Sequence, residues 1–282
     1  MTRTILLTGA TSGLGLATAE ALAPLGHRLL LHGRNPTRVQ ALVARLGQHR
    51  ADPGGLEPWV ADLSSMEEVH RLADAILARH DRIDVLVNNA GIFKADDPRT
   101  DEGLDPRFAV NALAPYLLTL RLLPLLDRHS RVVNLSSAAQ SSVDPAALRG
   151  EVPLDHGAAY AQSKLALTIW SQQIDRELEG EGPAVIAVNP GSFLATRMVR
   201  EAYGVGGNDP SIGVEIILRA ALADAFADAG GRYYDNDHGR FAPPHPDARD
   251  PEAVAEVMNT LDDILRRLGI DPTPYKPWTA VS

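Results

Sequence analysis

"TILLTGATSGLGLATAEAL", residues 4–22, decides how this chain is read. An apolar run ends at Thr8. Gly9, Gly13 and Gly15 follow, and an Ala/Leu-rich segment begins at once. The pattern is a strand, a tight turn and a helix in a single unit. The turn admits two readings: a nucleotide cradle, or a strand–helix connection that binds nothing. In a cradle each glycine has a task. Gly9 ends the strand and allows the turn, Gly13 lets a phosphate approach the backbone, and Gly15 lets the helix pack closely on the strand. The helix N-terminus offers its N–H groups to a pyrophosphate. Thr8, Thr11 and Ser12 add hydroxyls around the turn, and Leu14 lies within it. The spacing is not the G-x-G-x-x-G form.

The same alternation continues outward. "HRLLLHG" (27–33), "LEPWVAD" (56–62), "IDVLVNNAG" (83–91), "SRVVNLSS" (130–137) and "PAVIAVNPG" (183–191) read as strands, with a short one at "GRYYD" (231–235). Helical patterns fall at 14–25, 36–47, from Ser64/Ser65 to about 80, 104–128, 157–180, 210–228 and 251–268. Glu67 and Glu68 after the serine pair mark a capped helix start. Strand–helix alternation with aliphatic runs such as "DVLVN" and "AVIAV" predicts an α/β fold: a doubly wound, Rossmann-type parallel sheet of about seven strands covered on both faces. No repeat or linker divides the 282 residues, so one domain is expected over 1–282, with a substrate lid at about 192–210 and a C-terminal helical extension at about 235–282. Ligands of such sheets sit beyond the carboxyl ends of the strands, where most polar signals of this sequence fall.

Composition narrows the function. The chain has 27 Lys and Arg against 36 Asp and Glu, a formal net charge of −9, and shows no basic cluster of the kind nucleic acid requires. It has no cysteine, which excludes disulfides, thiolate metal sites and a Cys nucleophile. The apolar runs read as strand-length, short of the ~20 residues that span a bilayer, and residues 1–10 run straight into a strand without a leader pattern. A soluble, cytoplasmic protein is expected.

The second strand ends "LHGRN", with Arg34 and Asn35 and no carboxylate. A ribose 2′-hydroxyl is usually held by an acidic residue at this point, and a 2′-phosphate by an arginine. A loop arginine is commonly only solvated, but its position here favours the phosphate reading, so NADP(H) is preferred over NAD(H), with NAD(H) possible. The reacting group is sought in "AAYAQSKLAL": Tyr160 and Lys164 lie four apart and share a helix face. A free phenol is a poor acid near neutrality, and an adjacent ammonium lowers its pKa. Such a pair can protonate a carbonyl oxygen or deprotonate an alcohol. Ser137, at the end of the fifth strand, can hydrogen-bond the same oxygen. Tyr-x-x-x-Lys alone is a weak signal; its weight comes from standing beside the glycine turn and "NLSS".

With these residues assembled, the chain resembles the short-chain dehydrogenase/reductase family along nearly its whole length. Thr8, Gly9, Gly13 and Gly15 match that family's Thr-Gly-x-x-x-Gly-x-Gly turn, Asn88–Gly91 its Asn-Asn-Ala-Gly, 134–137 its Asn-x-Ser-Ser, Tyr160 and Lys164 its Tyr-x-x-x-Lys, and Pro190–Gly191 its Pro-Gly. The resemblance implies that Tyr160 is the proton donor, Lys164 its pKa-lowering partner and a nicotinamide-ribose contact, and Ser137 the substrate-oxygen ligand. Asn111 then resembles the helix asparagine of the proton relay. Asp62, with Leu63 beside it, resembles the adenine contact, and Asn89, Ala90 and Gly91 the segment lining the adenosine ribose. Thr196 resembles the threonine that contacts the carboxamide, though one residue later after Pro-Gly than usual, so that Ser192 or Phe193 can share the contact. The implied partner is a small carbonyl or alcohol substrate, with a homodimer or homotetramer formed through helices 104–128 and 157–180.

Ser137 and Tyr160 are 23 apart, further than in many relatives. The insert at 138–156 and the long tail resemble the retinol-dehydrogenase-like branch. Two other classes remain open: an epimerase or dehydratase on the same scaffold, and a non-catalytic NADP(H)-binding regulator. The cluster Asp235, Asp237, His238, His245 and Asp247 lacks the spacing of a calcium loop and is read as turn chemistry at the edge of the pocket, with no metal expected. His156 is read as a solvated helix-start residue, and Phe193, Met198, Tyr203 and Trp170 as core residues.

Overall fold

The computed structural model describes residues 2–48, 55–192, 194 and 207–277. Eight strands form one sheet: β1 (Thr4–Leu7), β2 (Arg28–Gly33), β3 (Leu56–Val60), β4 (Val85–Asn88), β5 (Arg131–Leu135), β6 (Ala184–Asn189), β7 (Tyr233–Asp235) and β8 (Arg240–Ala242). Their order is β3-β2-β1-β4-β5-β6-β7-β8. The first seven run parallel and β8 returns antiparallel to β7. The eighth strand adds one to the number expected. It is three residues long, and an isolated "RFA" has no period of its own to reveal it.

The sheet is covered by α1 (Gly13–Leu22), α2 (Pro36–Gly47), α3 (Met66–Leu77), α4 (Pro106–Leu125), α5 (Pro145–Leu148), α6 (His156–Glu177), α7 (Ser211–Leu222) and α8 (Pro251–Arg267). Alternation along the strands explains why their sequences are apolar throughout. Leu6, Leu30, Leu86, Val132 and Val185 join one core with α3, α4, α6 and α8. Their neighbours Ile5, Leu7, Leu29, Leu31, Val87, Val133 and Ile186 join another with α1, α2 and α7. Helix starts follow local chemistry. Asn35 and Ser65 cap α2 and α3 by accepting from the N–H groups of Arg38 and Glu68. Asp155 and Asp250 do the same for α6 and α8.

Two expectations change. Helix 104–128 runs from Pro106 to Leu125 and contains a π-turn at Ala109–Leu113. By length and composition this helix is apolar enough to cross a membrane, longer than the strand-length runs expected, and 83% of its most apolar window is buried inside the fold. The insert at 138–156 also forms a helix, α5, which buries Ala147 and Leu148. The insert and the tail hold each other. Arg149 donates to Thr260 on α8, Arg267 donates to the Arg149 carbonyl, and the Tyr116 hydroxyl of α4 donates to Asp262 of α8 at 2.7 Å.

His32 on β2 links this architecture to the glycine turn. Its ring is buried between the Gly9 N–H, which it accepts through Nδ1 at 3.4 Å, and the Ala61 carbonyl, 3.1 Å from Nε2. Loss of solvation lowers its pKa to about 4. The unfolded chain therefore binds a proton between pH 6.5 and 4 that the folded chain does not. Stability present at pH 7 should fall across that window by roughly 3 kcal/mol from this group. Urea unfolding of wild type and His32→Gln between pH 7 and 4 tests this: the substitution should flatten the fall, and parallel curves would refute it.

Candidate active site

The glycine turn is packed against the end of β4. Gly9 and Gly13 have φ of +67° and +53°, the left-handed region in which an L side chain is strained. A Cβ on Gly9 would lie 2.9 Å from Ala90 Cα, and one on Gly15 would strike the Gly9 carbonyl oxygen and the Asn89 amide. Asn89 ties the two strand ends together. Its Nδ2 donates to the Thr8 carbonyl at 2.8 Å, and the Thr8 hydroxyl accepts from the N–H groups of Asn89 and Ala90, each at 3.0 Å. Ser12 stands in extended conformation at the start of α1, and its side chain makes no capping hydrogen bond. The first-turn N–H groups of Gly13, Leu14 and Gly15 thus have no side-chain cap, which suits an anion.

Gly33 ends β2 because a Cβ there would meet Thr11 and Val39 at 2.8 and 2.9 Å. Arg34 follows it, and its guanidinium is 79% exposed and 3.7 Å from Asp62 Oδ2. Asn35 uses its side-chain oxygen to cap α2. Asp62 accepts from the Ser64 N–H and hydroxyl through Oδ1, and its own N–H donates to Glu68 at 2.7 Å. Leu63 is buried beside it. The exposed guanidinium stands at the strand end next to the uncapped start of α1.

Across the switch in strand order, the end of β5 and the start of α6 carry the residues that the sequence assigns to the reaction. Lys164 is buried, and its Nζ donates to the Leu135 carbonyl at 2.7 Å. Burial lowers its pKa to about 8. The same Nζ lies 5.5 Å from the Tyr160 ring centroid, and the Phe93 ring packs against that ring at a tilt of 50° with centroids 5.1 Å apart. The two serines of "NLSS" divide their work. The Ser136 hydroxyl is 2.7 Å from that of Thr168 inside the core, whereas Ser137 is half-buried at the strand end. Asn111 sits in the π-turn of α4, fully buried. It accepts from the Ile92 N–H at 2.8 Å and donates to the Ile92 carbonyl and to Ser163 on α6. A Cβ on Gly91 would lie 3.4 Å from Asn111 Oδ1 and 3.5 Å from Lys164 Nζ, so Gly91, Asn111 and Lys164 surround one small space.

The base of the 192–210 segment is held from the opposite edge of the sheet. Gly191 has φ of +122° and donates its N–H to Asn189. Asp237 accepts from the Ser192 N–H at 2.7 Å, the Ser192 hydroxyl at 2.6 Å and the Asn189 amide at 2.9 Å. Burial pushes the Asp237 carboxyl up, but the bonds from Ser192 and Asn189 outweigh it and hold its pKa below the usual value. Asn236 donates to the Pro190 carbonyl. Thr196 and Phe193 lie outside the described residues, as do Met198 and Tyr203. Among the described residues no three His, Asp or Glu side chains form a metal-binding group.

Sequence reading missed several of these supports. Tyr233 donates its hydroxyl to the Ser137 carbonyl at 3.1 Å, and burial, with Asp235 and Asp237 nearby, raises its pKa so that it stays a donor. It was visible only as a strand residue. Asp237 stands in the sequence only as a turn residue, because its bonds to Asn189 and Ser192 depend on β6 pairing with β7. His32 carried no signal, because its partners come from two other strand ends.

The sequence model of the short chain dehydrogenase family matches residues 3–204. Retinol dehydrogenase 13 of Homo sapiens is 30% identical over 287 residues, covering 90% of this chain and 82% of its own. Polyprenol dehydrogenase of Mus musculus is 34% identical over 293 residues, covering 94% and 81%. Among solved structures, a short chain dehydrogenase from Escherichia coli CFT073 complexed with NADPH superposes with a TM-score of 0.66 at 25% identity, covering 83% of this chain and 96% of that one.

Lys164 makes a measurable demand on the fold. Its folded pKa is about 8 against an ordinary 10.5, so between those values the unfolded chain binds a proton that the folded chain lacks. The cost of burying the ammonium is complete below pH 8 and is relieved as pH rises to 10.5, by roughly 3 kcal/mol. Relative to Lys164→Met, the wild type should gain stability over that window in urea titrations. A difference independent of pH would refute the buried-cation account.

Proposed function

The chain belongs to the short-chain dehydrogenase family, and from that premise we propose that it is an NADP(H)-dependent oxidoreductase interconverting an apolar alcohol and its aldehyde or ketone. The observation that supports this most is the Lys164 ammonium, buried at the end of β5 and aimed along the Tyr160 ring within reach of Ser137's strand end. When bound, a reduced nicotinamide supplies the hydride. The chain manages the oxygen. The Tyr160 hydroxyl gives its proton to the carbonyl oxygen in reduction and takes it back in oxidation. The Lys164 charge favours the phenolate and lowers the cost of that transfer. The Ser137 hydroxyl donates a hydrogen bond to the same oxygen as negative charge develops on it. Asn111, held by Ile92 and Ser163, fixes the floor on which the proton relay rests.

Arg34 supports the preference for a 2′-phosphate, since a forked guanidinium binds phosphate more strongly than a hydroxyl. The uncapped start of α1 and the Gly9–Gly15 packing would hold the pyrophosphate, with Asp62 and Leu63 beside the adenine and Asn89 to Gly91 along the ribose. Pro190 and Gly191, anchored through Asn236 and Asp237, would border the carboxamide. The names of the two mammalian relatives, a retinol and a polyprenol dehydrogenase, support an apolar substrate. We read the acidic, cysteine-free chain as cytoplasmic. A homo-oligomer through α4 and α6 would have to form around α8, which packs on α6 and reaches α4 through the Tyr116–Asp262 bond.

NADPH oxidation with a panel of retinal, long-chain aldehydes, ketones and quinones tests the reaction. Tyr160→Phe should lower kcat by about a hundredfold or more while NADPH still binds. Arg34→Ala should raise the Kd for NADPH about tenfold to a hundredfold and leave NADH within twofold. Full turnover in Tyr160→Phe would overturn the proton-donor assignment, and equal loss for both cofactors would overturn the phosphate assignment.

A further inference from the structure

Arg107 is 3% exposed, yet it lies in the first turn of a helix, where arginines are ordinarily solvated. Burying a guanidinium demands partners. Two are provided. Asp105, the cap of α4, accepts from the Arg107 N–H and from its NH2 group. The NH1 group lies 2.6 Å from Nδ1 of His156, the first residue of α6. A guanidinium can only donate, so His156 Nδ1 is the acceptor and the ring proton sits on Nε2. The third nitrogen, Nε, has no hydrogen-bond partner among the described residues. The guanidinium is thus committed to joining α4 and α6 rather than to satisfying itself.

The position of that joint is informative. Arg107 and Asn111 are four apart on α4 and share a face. His156, Tyr160 and Ser163 stand at i, i+4 and i+7 on α6 and form one stripe. Asn111 donates to Ser163 at 3.0 Å, and the Ser163 hydroxyl donates to the Tyr160 carbonyl at 2.7 Å. Tyr160 therefore lies between two cross-links to α4, one a turn before it and one a turn after it. The first is a charge-assisted bond from a buried cation, the stronger kind.

We propose that Arg107 and His156 are positioning residues for the reaction: their hydrogen bond fixes the N-terminal turn of α6 on α4 and so holds the Tyr160 hydroxyl in register with Asn111 and Lys164. This inference rests on the reductase reading above. Asp155 still caps α6 when the cross-link is lost, but the first turn is then free to shift on α4, and Tyr160 is only four residues from it. Small displacements of a reacting group cost rate more than affinity.

The test compares wild type, His156→Leu, His156→Gln and Arg107→Lys for NADPH affinity, urea midpoint, kcat and KM with one turned-over aldehyde. His156 is exposed, so its substitution leaves the core untouched. His156→Leu should lower kcat by about tenfold or more, with NADPH Kd and urea midpoint near wild type. His156→Gln, which keeps an acceptor, should retain most of kcat. Arg107→Lys, which has no fork to serve both Asp105 and His156, should follow His156→Leu. If Arg107→Lys does not fold, the two His156 variants decide. Unchanged kcat in His156→Leu, equal loss in Leu and Gln, or a change confined to KM would overturn the proposal while leaving the reductase reading intact. Absence of turnover in wild type with every carbonyl would overturn both.

Discussion

The hydrogen bond from the Lys164 ammonium to the Leu135 carbonyl fixes where the rest of the site must lie. An ammonium of this kind sits badly in a protein interior, and burial lowers its pKa from 10.5 to about 8. A shift of that size corresponds to about 3 kcal/mol of unfavourable burial. The packing of α6 offsets it. Leu165, Ala166, Ile169, Trp170 and Ile174 on the same helix are all buried against the sheet and α4. The helix cannot roll without exposing that surface, so the ammonium stays at the end of β5. Tyr160, one turn earlier, then has one address. Ser136 locks the strand end to the same helix through Thr168, and this leaves Ser137 as the serine at the opening.

The parts of this arrangement that were legible in the sequence are those determined by local backbone geometry or by a short repeat. Gly9 and Gly15 announce themselves because no other residue fits where they stand. Tyr160 and Lys164 announce themselves because four residues is a helical interval. The strands were legible from continuous aliphatic runs, which a sheet covered on both faces requires. What stayed hidden depends on which strand ends become neighbours. His32 joins the first turn to Ala61, Tyr233 reaches Ser137 across β6, and Asp237 holds Ser192 from beyond β7. None of these pairs has a spacing that could be read. Arg107 was hidden for a different reason: an arginine in the first turn of a helix looks solvated until its burial is known.

The insert and the tail show how two unremarkable segments acquire a role together. Neither α5, four residues long, nor α8, an amphipathic helix with one apolar stripe, could be stable alone. Arg149 and Arg267 bond across them, and Asp262 receives the Tyr116 hydroxyl and the Lys276 ammonium. Gln140, at the start of the insert, bonds the Ser137 carbonyl region on one side and His245 of the tail on the other. The departures from the family pattern therefore form one wall, continuous with the loop after Ser137.

Asp237 has a consequence for recombination between relatives. Because Ser192 and Asn189 donate to Asp237 in the turn between β7 and β8, the segment that follows Pro190–Gly191 is rooted about forty-five residues downstream of where it begins. A chimera cut at 190 and rejoined near 210 would transplant the segment without its root. The modular boundary for exchanging that segment lies instead beyond Ala242, so that the segment, α7 and the β7–β8 hairpin travel as one cassette.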